Sequence, residues 1–188
     1  MKKAGIISPK PKKLQFNATI LQKENILLRK IAQPVDFAKI PKTRIATILK
    51  DMQKALYSQN DGVAIAAPQI GISLRIFVVS KKIFELTGNT THIPANDLIF
   101  INPTITKLSR EKALMEEGCL SVRWLYGKVS RSKKATIEAY DISGKKFTRG
   151  ASGVLAQVFQ HETDHLNGVL FIDKAEHVEE ILPEKTAS

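Results

Sequence analysis

A chain of 188 residues is long enough to bury a real core and has the length of one domain. Charged residues make up 25% and hydrophobic ones 43%, and no apolar run reaches the roughly 18 residues of a membrane span, so no membrane partner is expected. The single cysteine, Cys119, excludes an intrachain disulfide. The net charge of +11 is unevenly placed: residues 1–23 hold six lysines and no acid, and residues 107–150 hold a second basic excess. That balance suits polyanionic surroundings, the ribosome surface among them. No aromatic-interleaved motif accompanies it, so sequence-specific nucleic-acid binding is not expected.

Residues 1–18 lack periodicity and read as a flexible basic tail, with one domain over 19–188. No apolar stretch follows Met1-Lys2-Lys3 as in a signal peptide. A cytoplasmic protein of bacterial type is the expectation; an organellar leader is the alternative, disfavoured because the early basic residues are all lysine.

Residues 41–58 are the first helix, with Ile45, Ile48, Leu49, Met52, Leu56 and Tyr57 on one face. Gly62-Val63-Ala64-Ile65-Ala66-Ala67-Pro68-Gln69 is dense in small residues and suits a backbone that something else approaches closely. Residues 74–79 read as a buried strand, 80–97 as a polar loop containing His92, and 98–102 as a short strand closed by Pro103. Cys119 follows Gly118 in what reads as a turn. Strands are expected over 128–132 and 135–141, with a hairpin into Phe147-Thr148-Arg149. A helix opened by Ala151 or Ser152 and ended by Asn167-Gly168 turns Val154, Leu155, Val158, Phe159, Glu162, His165 and Leu166 inward. Residues 169–172 are expected to add a strand, and the acidic end (Glu176, Glu179, Glu180, Glu184) a frayed helix.

That last long helix carries Gln160-His161-Glu162-Thr163-Asp164-His165. Histidines four apart share a helix face and converge on one ion, and a carboxylate beside them can take and return a proton. The third ligand has three candidates. A histidine six residues after His165 would be at position 171, which is Phe. Glu184, nineteen residues on, falls in the acidic end segment. Cys119 gives a thiolate with two imidazoles and leaves a fourth position open.

Three segments now resemble, in order and spacing, the motifs of the peptide deformylase family: residues 62–69, Glu117-Gly118-Cys119-Leu120-Ser121, and residues 160–165. The likeness covers about residues 20–173. It implies an α+β fold, antiparallel β-sheets packed around the helix with the histidines. It implies hydrolysis of the formyl group from the N-terminal formyl-methionine of nascent peptides, releasing formate. Cys119, His161 and His165 would hold one divalent ion, Fe(II) in the cell, with Zn(II), Ni(II) and Co(II) also compatible with the donor set. Glu162 would be general base and then acid; Gln69 and the Leu120 N–H would stabilise the oxyanion. The peptide would lie as an added strand along Val63, Ala64 and Gly118, its methionine in a pocket of Val63, Glu117, Val154, Val158 and His161. Arg131 and Asp164 would support the site, pairing with each other or with Glu117.

Two of the motifs depart from the family pattern. Ala64 and Ile65 replace its second glycine and its leucine. Arg123 replaces a proline, and is expected to add charge at the cleft rim. These departures and the Lys-rich tail motivate the second expectation, a weakly active or inactive paralogue that binds the ribosome or another partner. A third is a different metallohydrolase using Glu184 instead of Cys119.

Overall fold

The computed structural model describes residues 19–86 and 94–183. The expected tail over 1–18, His92 and Glu184 lie outside the described residues.

Apolar residues at helical spacing form α1 (Lys42–Tyr57), which buries Ile45, Ile48, Leu49, Met52, Ala55 and Leu56. Tyr57 is not on that buried face. It is 42% exposed and its hydroxyl reaches Asp97 and Ser80. The small-residue stretch becomes a three-residue strand, β1 (Ala64–Ala66), followed by a 3₁₀ turn at Ala67–Ile70. β2 (Ile76–Val79) is buried at every position. Phe77 and Val79 face one core while Ile76 and Val78 face another, so its apolar run reflects cover on both sides.

Residues 80–97 are not all loop. Lys82–Leu86 forms a short helix, α2, because Ile83 and Phe84 are buried against the core. Pro103 does not close the next strand either. β3 runs over Leu98–Leu108, and a register shift between Ile101 and Thr104 accommodates the residue that has no N–H. β4 (Lys112–Gly118), β5 (Leu125–Ser132), β6 (Lys134–Tyr140) and β7 (Lys146–Ser152) follow. No strand was expected ahead of Cys119, where β4 runs; the expected turn opens at Cys119 itself, whose carbonyl accepts from the Val122 N–H at 3.0 Å.

Helix α3 (Gly153–Leu166) follows directly on β7, with Ser152 at its N-cap position. At its C-terminus Gly168 has φ +74°, the Gly168 N–H donates to His165 O, and the Val169 N–H donates to Asp164 O. That is a Schellman closure. A Cβ at Gly168 would stand 2.6 Å from the Arg29 carbonyl oxygen, so both conformation and space require glycine. The strand expected over 169–172 is instead a 3₁₀ turn, Phe171–Asp173, in which Asp173 accepts from the Leu170 N–H and pairs with Arg29. The acidic end is a strand, β8 (Glu176–Glu180), not a helix. Pairing of Lys128 with Glu176 across strands outweighs the helical preference of glutamate.

Two antiparallel sheets result: β1-β2-β3-β6-β7 and β4-β5-β8. The fold is α+β. Helix α3 packs on one face of the larger sheet and reaches β5 of the smaller one, while α1 covers the larger sheet's other face. Phe159 of α3 meets the Phe100 ring edge-on at 5.0 Å, and Phe77 stacks on Phe100 at 4.5 Å. Burying each ring stabilises the helix on its sheet by about 1.5–3 kcal/mol. This anchorage fixes the histidine face of α3 opposite the end of β4.

Candidate active site

The α3 turns that bury Phe159 and Leu166 also bury Glu162 and His165, at 3% and 1% exposure. Val154 departs from the expected inward face. It is 42% exposed, sits in the first turn, and lines the mouth of a cleft rather than the core. The ligand atoms of Cys119, His161 and His165 lie within 4.8 Å of one another, and Cys119 Sγ is 3.2 Å from His165 Nε2. Local chain geometry explains the meeting: the histidines share a helix face, and Cys119 follows directly on β4, which ends against that face.

Each of these groups is oriented by another. His161 Nδ1 is 2.9 Å from Glu117 Oε2. Glu117 accepts both arms of Arg131, at 2.7 and 2.9 Å, and a third guanidinium N–H reaches Asp164 at 2.6 Å. Arg131 thus pairs with both acids. Lys174 closes the chain on Asp164 at 2.7 Å. Gln69 is held by the Ala66 N–H donating to its Oε1 at 2.8 Å; its Nε2 donates to Ser121 Oγ at 3.1 Å and lies 3.6 Å from Cys119 Sγ. The Leu120 N–H has no partner among the described residues, whereas its carbonyl accepts from Gln22.

Burial dominates the electrostatics. It pushes the Glu162 carboxyl up to about 7, against the pull of His161 and with the help of Glu117. Burial also raises Glu117, but hydrogen bonds from His161 and Arg131 outweigh it and hold that carboxyl at about 2. For His165, burial and the neighbouring His161 drive the imidazole well below its usual range. For His161, burial acts downward, yet hydrogen bonds to Cys119 and Glu117 carry it well above.

The donor set fits a metal ion. Glu162 Oε2 and His165 Nδ1 are buried without a hydrogen-bond partner among the described residues, and a thiol and two imidazoles converge within 4.8 Å of one another. The cleft beside them has a volume of about 210 Å³. Val63, Ala64, Gln69, Glu117, Gly118, Cys119, Leu120, Val154, Val158, His161 and Glu162 all line it, which brings together every residue expected at the peptide cleft. Arg131, Asp164 and His165 stand behind it.

The sequence reading missed Asp61, Ser121, Trp124, Tyr126 and Gln157. Asp61, Trp124, Tyr126 and Gln157 line the cleft, and Ser121 holds Gln69. The signal for Tyr126 lay in strand register: Gly118 pairs with Tyr126, and a Cβ at Gly118 would stand 2.7 Å from that ring. The two departures are also resolved. Ala64 sits in regular β1 opposite Val79, and among the described residues the positive-φ non-glycine ones are Asn102 and His177, so Ala64 carries no left-handed strain. Arg123 does not add free charge at the rim, because it is neutralised by Asp61 through contacts of 2.5 and 2.9 Å.

The family profile described as polypeptide deformylase matches residues 17–180. The chain belongs to the polypeptide deformylase family. Peptide deformylase of Halothermothrix orenii is 42% identical over 158 residues, covering 81% of this chain and 95% of that relative. The crystal structure of the Thermotoga maritima peptide deformylase superposes with a TM-score of 0.71 at 36% identity, covering 84% of this chain and 96% of that one. A Met-Ala-Ser-bound peptide deformylase from Acinetobacter baumannii gives 0.72 at 32% identity, over 82% and 97% of the two chains. As a deformylase, the chain is a hydrolase that removes N-terminal formyl groups, and the inactive binding paralogue is not favoured.

Proposed function

We propose that this deformylase works through Glu162, Gln69 and the Leu120 N–H at an ion held by Cys119, His161 and His165. The observation that carries the reading is the convergence of those three donor groups within 4.8 Å beside a buried, unpartnered Glu162 oxygen. When bound, a divalent ion lowers the pKa of a water toward neutrality and acts as a Lewis acid for the formyl oxygen.

Glu162 takes the proton of the attacking water and delivers it to the leaving peptide amine. A buried carboxyl near neutrality is suited to both halves of that exchange. Gln69 Nε2 and the Leu120 N–H donate to the oxyanion that forms on the formyl group, one fixed through its own carbonyl and the other without a competing partner. Glu117 accepts from His161 Nδ1, which fixes that ring's tautomer and leaves Nε2 for the ion; Arg131 and Asp164 hold Glu117 in turn.

The peptide lies along Val63 and Ala64 on one wall and Gly118 on the other, with its methionine against Val63, Val154, Val158, Glu117 and His161. Small residues on both walls allow backbone to meet backbone, and the Acinetobacter relative's complex with Met-Ala-Ser supports a peptide ligand. The substrate is the formyl-methionine terminus of nascent chains, met in the cytoplasm, and the net charge of +11 favours the polyanionic ribosome surface where those chains emerge. No helix among the described residues is long and apolar enough to cross a membrane.

The resident ion is proposed to be Fe(II), with Zn(II), Ni(II) and Co(II) able to occupy the same donors. The test is formate release from formyl-Met-Ala-Ser after anaerobic loading with Fe(II) and, separately, Zn(II). Turnover with at least one ion supports the reading. Absence of turnover in protein that binds one equivalent of either ion refutes it.

A further inference from the structure

The two groups proposed to meet the oxyanion come from segments far apart in sequence, Gln69 in the 3₁₀ turn Ala67–Ile70 and Leu120 in the loop after β4. A third segment ties them together. The Leu21 N–H donates to the Gln69 carbonyl at 2.8 Å. On the next residue, Gln22 Nε2 donates to the Leu120 carbonyl at 3.0 Å, and Gln22 Oε1 accepts from the Arg123 N–H at 3.4 Å. The Leu21 side chain packs against the small core of Val122, Val129, Leu170 and Phe171. Two consecutive residues therefore hold the main chain of both oxyanion donors.

This strap is itself anchored. Asn25 caps the 3₁₀ turn Ile26–Arg29 by accepting from the Leu27 N–H at 3.0 Å, and that turn buries Leu28. Gln22, by contrast, is exposed and borders a cavity of about 360 Å³ with Thr19, Ser58, Gln59 and Trp124. A side chain at the surface that fills no core contributes little to fold stability, so the amide of Gln22 matters chiefly to the loop it holds. Among the described residues, the backbone bonds within that loop run from the Val122 N–H to Cys119 and from the Leu125 N–H to Val122, at 3.0 and 3.1 Å. The bond from Gln22 is the one that grips Leu120 by its own carbonyl.

We infer that Gln22 is a positioning residue for the oxyanion hole: with the Leu21 N–H, it fixes the spacing of Gln69 and Leu120 from outside the cleft. The inference rests on the proposed role of those two donors. Groups of this kind act only when held within about 0.5 Å of the productive geometry, and removing one outright costs about 10²–10³ in kcat. Loosening one by the loss of a single supporting hydrogen bond costs a fraction of that, about two- to tenfold. The oxyanion exists only on the way through the transition state. The loss therefore falls equally on kcat and kcat/KM and leaves KM unchanged.

The test compares Gln22→Met and Gln22→Glu with the parent, each loaded with the same ion. Gln22→Met keeps the length of the side chain and removes both hydrogen bonds. Gln22→Glu keeps the acceptor for the Arg123 N–H but turns a carboxylate toward the Leu120 carbonyl. The readouts are kcat and KM for formyl-Met-Ala-Ser and, without turnover, the hydrogen-exchange rate of the Val122 amide, which closes the loop onto Cys119. Gln22→Met should lower kcat about two- to tenfold at parental KM and ion content, and speed Val122 exchange by a similar factor. Gln22→Glu should lose at least as much. Parental kcat in either folded, ion-replete variant, a rise in KM alone, or an unchanged Val122 exchange rate overturns the inference. If the parent hydrolyses no formyl peptide, the proposed chemistry fails, and the exchange rate alone decides whether Gln22 fixes this loop.

Discussion

Replacing Arg131 by Met isolates the electrostatic support of the site, because it keeps the bulk and removes the charge. Arg131 is 3% exposed and makes two contacts to Glu117 and one to Asp164, all between 2.6 and 2.9 Å. Its loss leaves the Glu117 carboxylate, 5% exposed, facing mainly His161. Removing one partner of a buried pair costs about 3–5 kcal/mol. The depression of the Glu117 carboxyl to about 2, produced by His161 and Arg131 together against burial, points the same way. At roughly 2–4 °C per kcal/mol for a chain of this size, Arg131→Met should melt about 6–20 °C lower by circular dichroism at pH 7 in the chelated protein.

The pH dependence has a definite sign. A carboxyl depressed in the folded state stabilises fully above its unfolded value and loses that contribution as pH falls through the folded one. The gap between parent and Arg131→Met should therefore be full above pH 4.5 and close as pH drops toward 2. Adding Glu117→Gln to Arg131→Met should recover part of the loss, since no buried charge then remains unpaired. In Arg131→Met the carboxylate that orients His161 loses its own support, and in the double variant an amide replaces it, so affinity for Zn(II) should fall about 10–100-fold in competition with a chromophoric chelator. An Arg131→Met protein that melts within about 2 °C of the parent and binds Zn(II) equally well refutes this account of the cluster.

Cys119→Ala should lose the stoichiometric ion measured by atomic absorption, whereas Glu184→Ala should retain it; the reverse would move the third ligand to the C-terminal segment. Gly168→Ala should cost about 2–4 kcal/mol, seen as a lower urea midpoint, because its Cβ meets the Arg29 carbonyl and its φ is positive. Chelation of the loaded enzyme should lower the melting temperature by several degrees, since an ion at 100 times its Kd contributes about 2.7 kcal/mol, and re-addition should restore it.

How much was legible in the sequence follows from how local each feature is. His161, Glu162 and His165 are related by helix geometry alone, and the buried face of α1 is an i, i+3, i+4 pattern, so both could be read directly. The β4 strand was not anticipated because its exposed and half-exposed residues alternate with little apolar signal, and pairing with β5 defines it. β8 carries charges that favour a helix in isolation, and only its cross-strand partners reveal it. The strand through Pro103 depends on a bulge, which composition does not announce. Arg123 shows the same limit at the site: its charge is plain in the sequence, but its neutralisation depends on Asp61, 62 residues away. Ala64 was a visible departure whose consequence required the backbone conformation.

The most direct test of the central claim is Glu162→Gln, loaded with the same ion as the parent and assayed for formate release from formyl-Met-Ala-Ser. The side chains are nearly isosteric, and only the proton-accepting capacity is lost. The account predicts one equivalent of bound ion and a fall in kcat of about 10²–10⁴-fold, the usual contribution of a general acid–base group. Parental turnover in a metal-replete Glu162→Gln protein would contradict it.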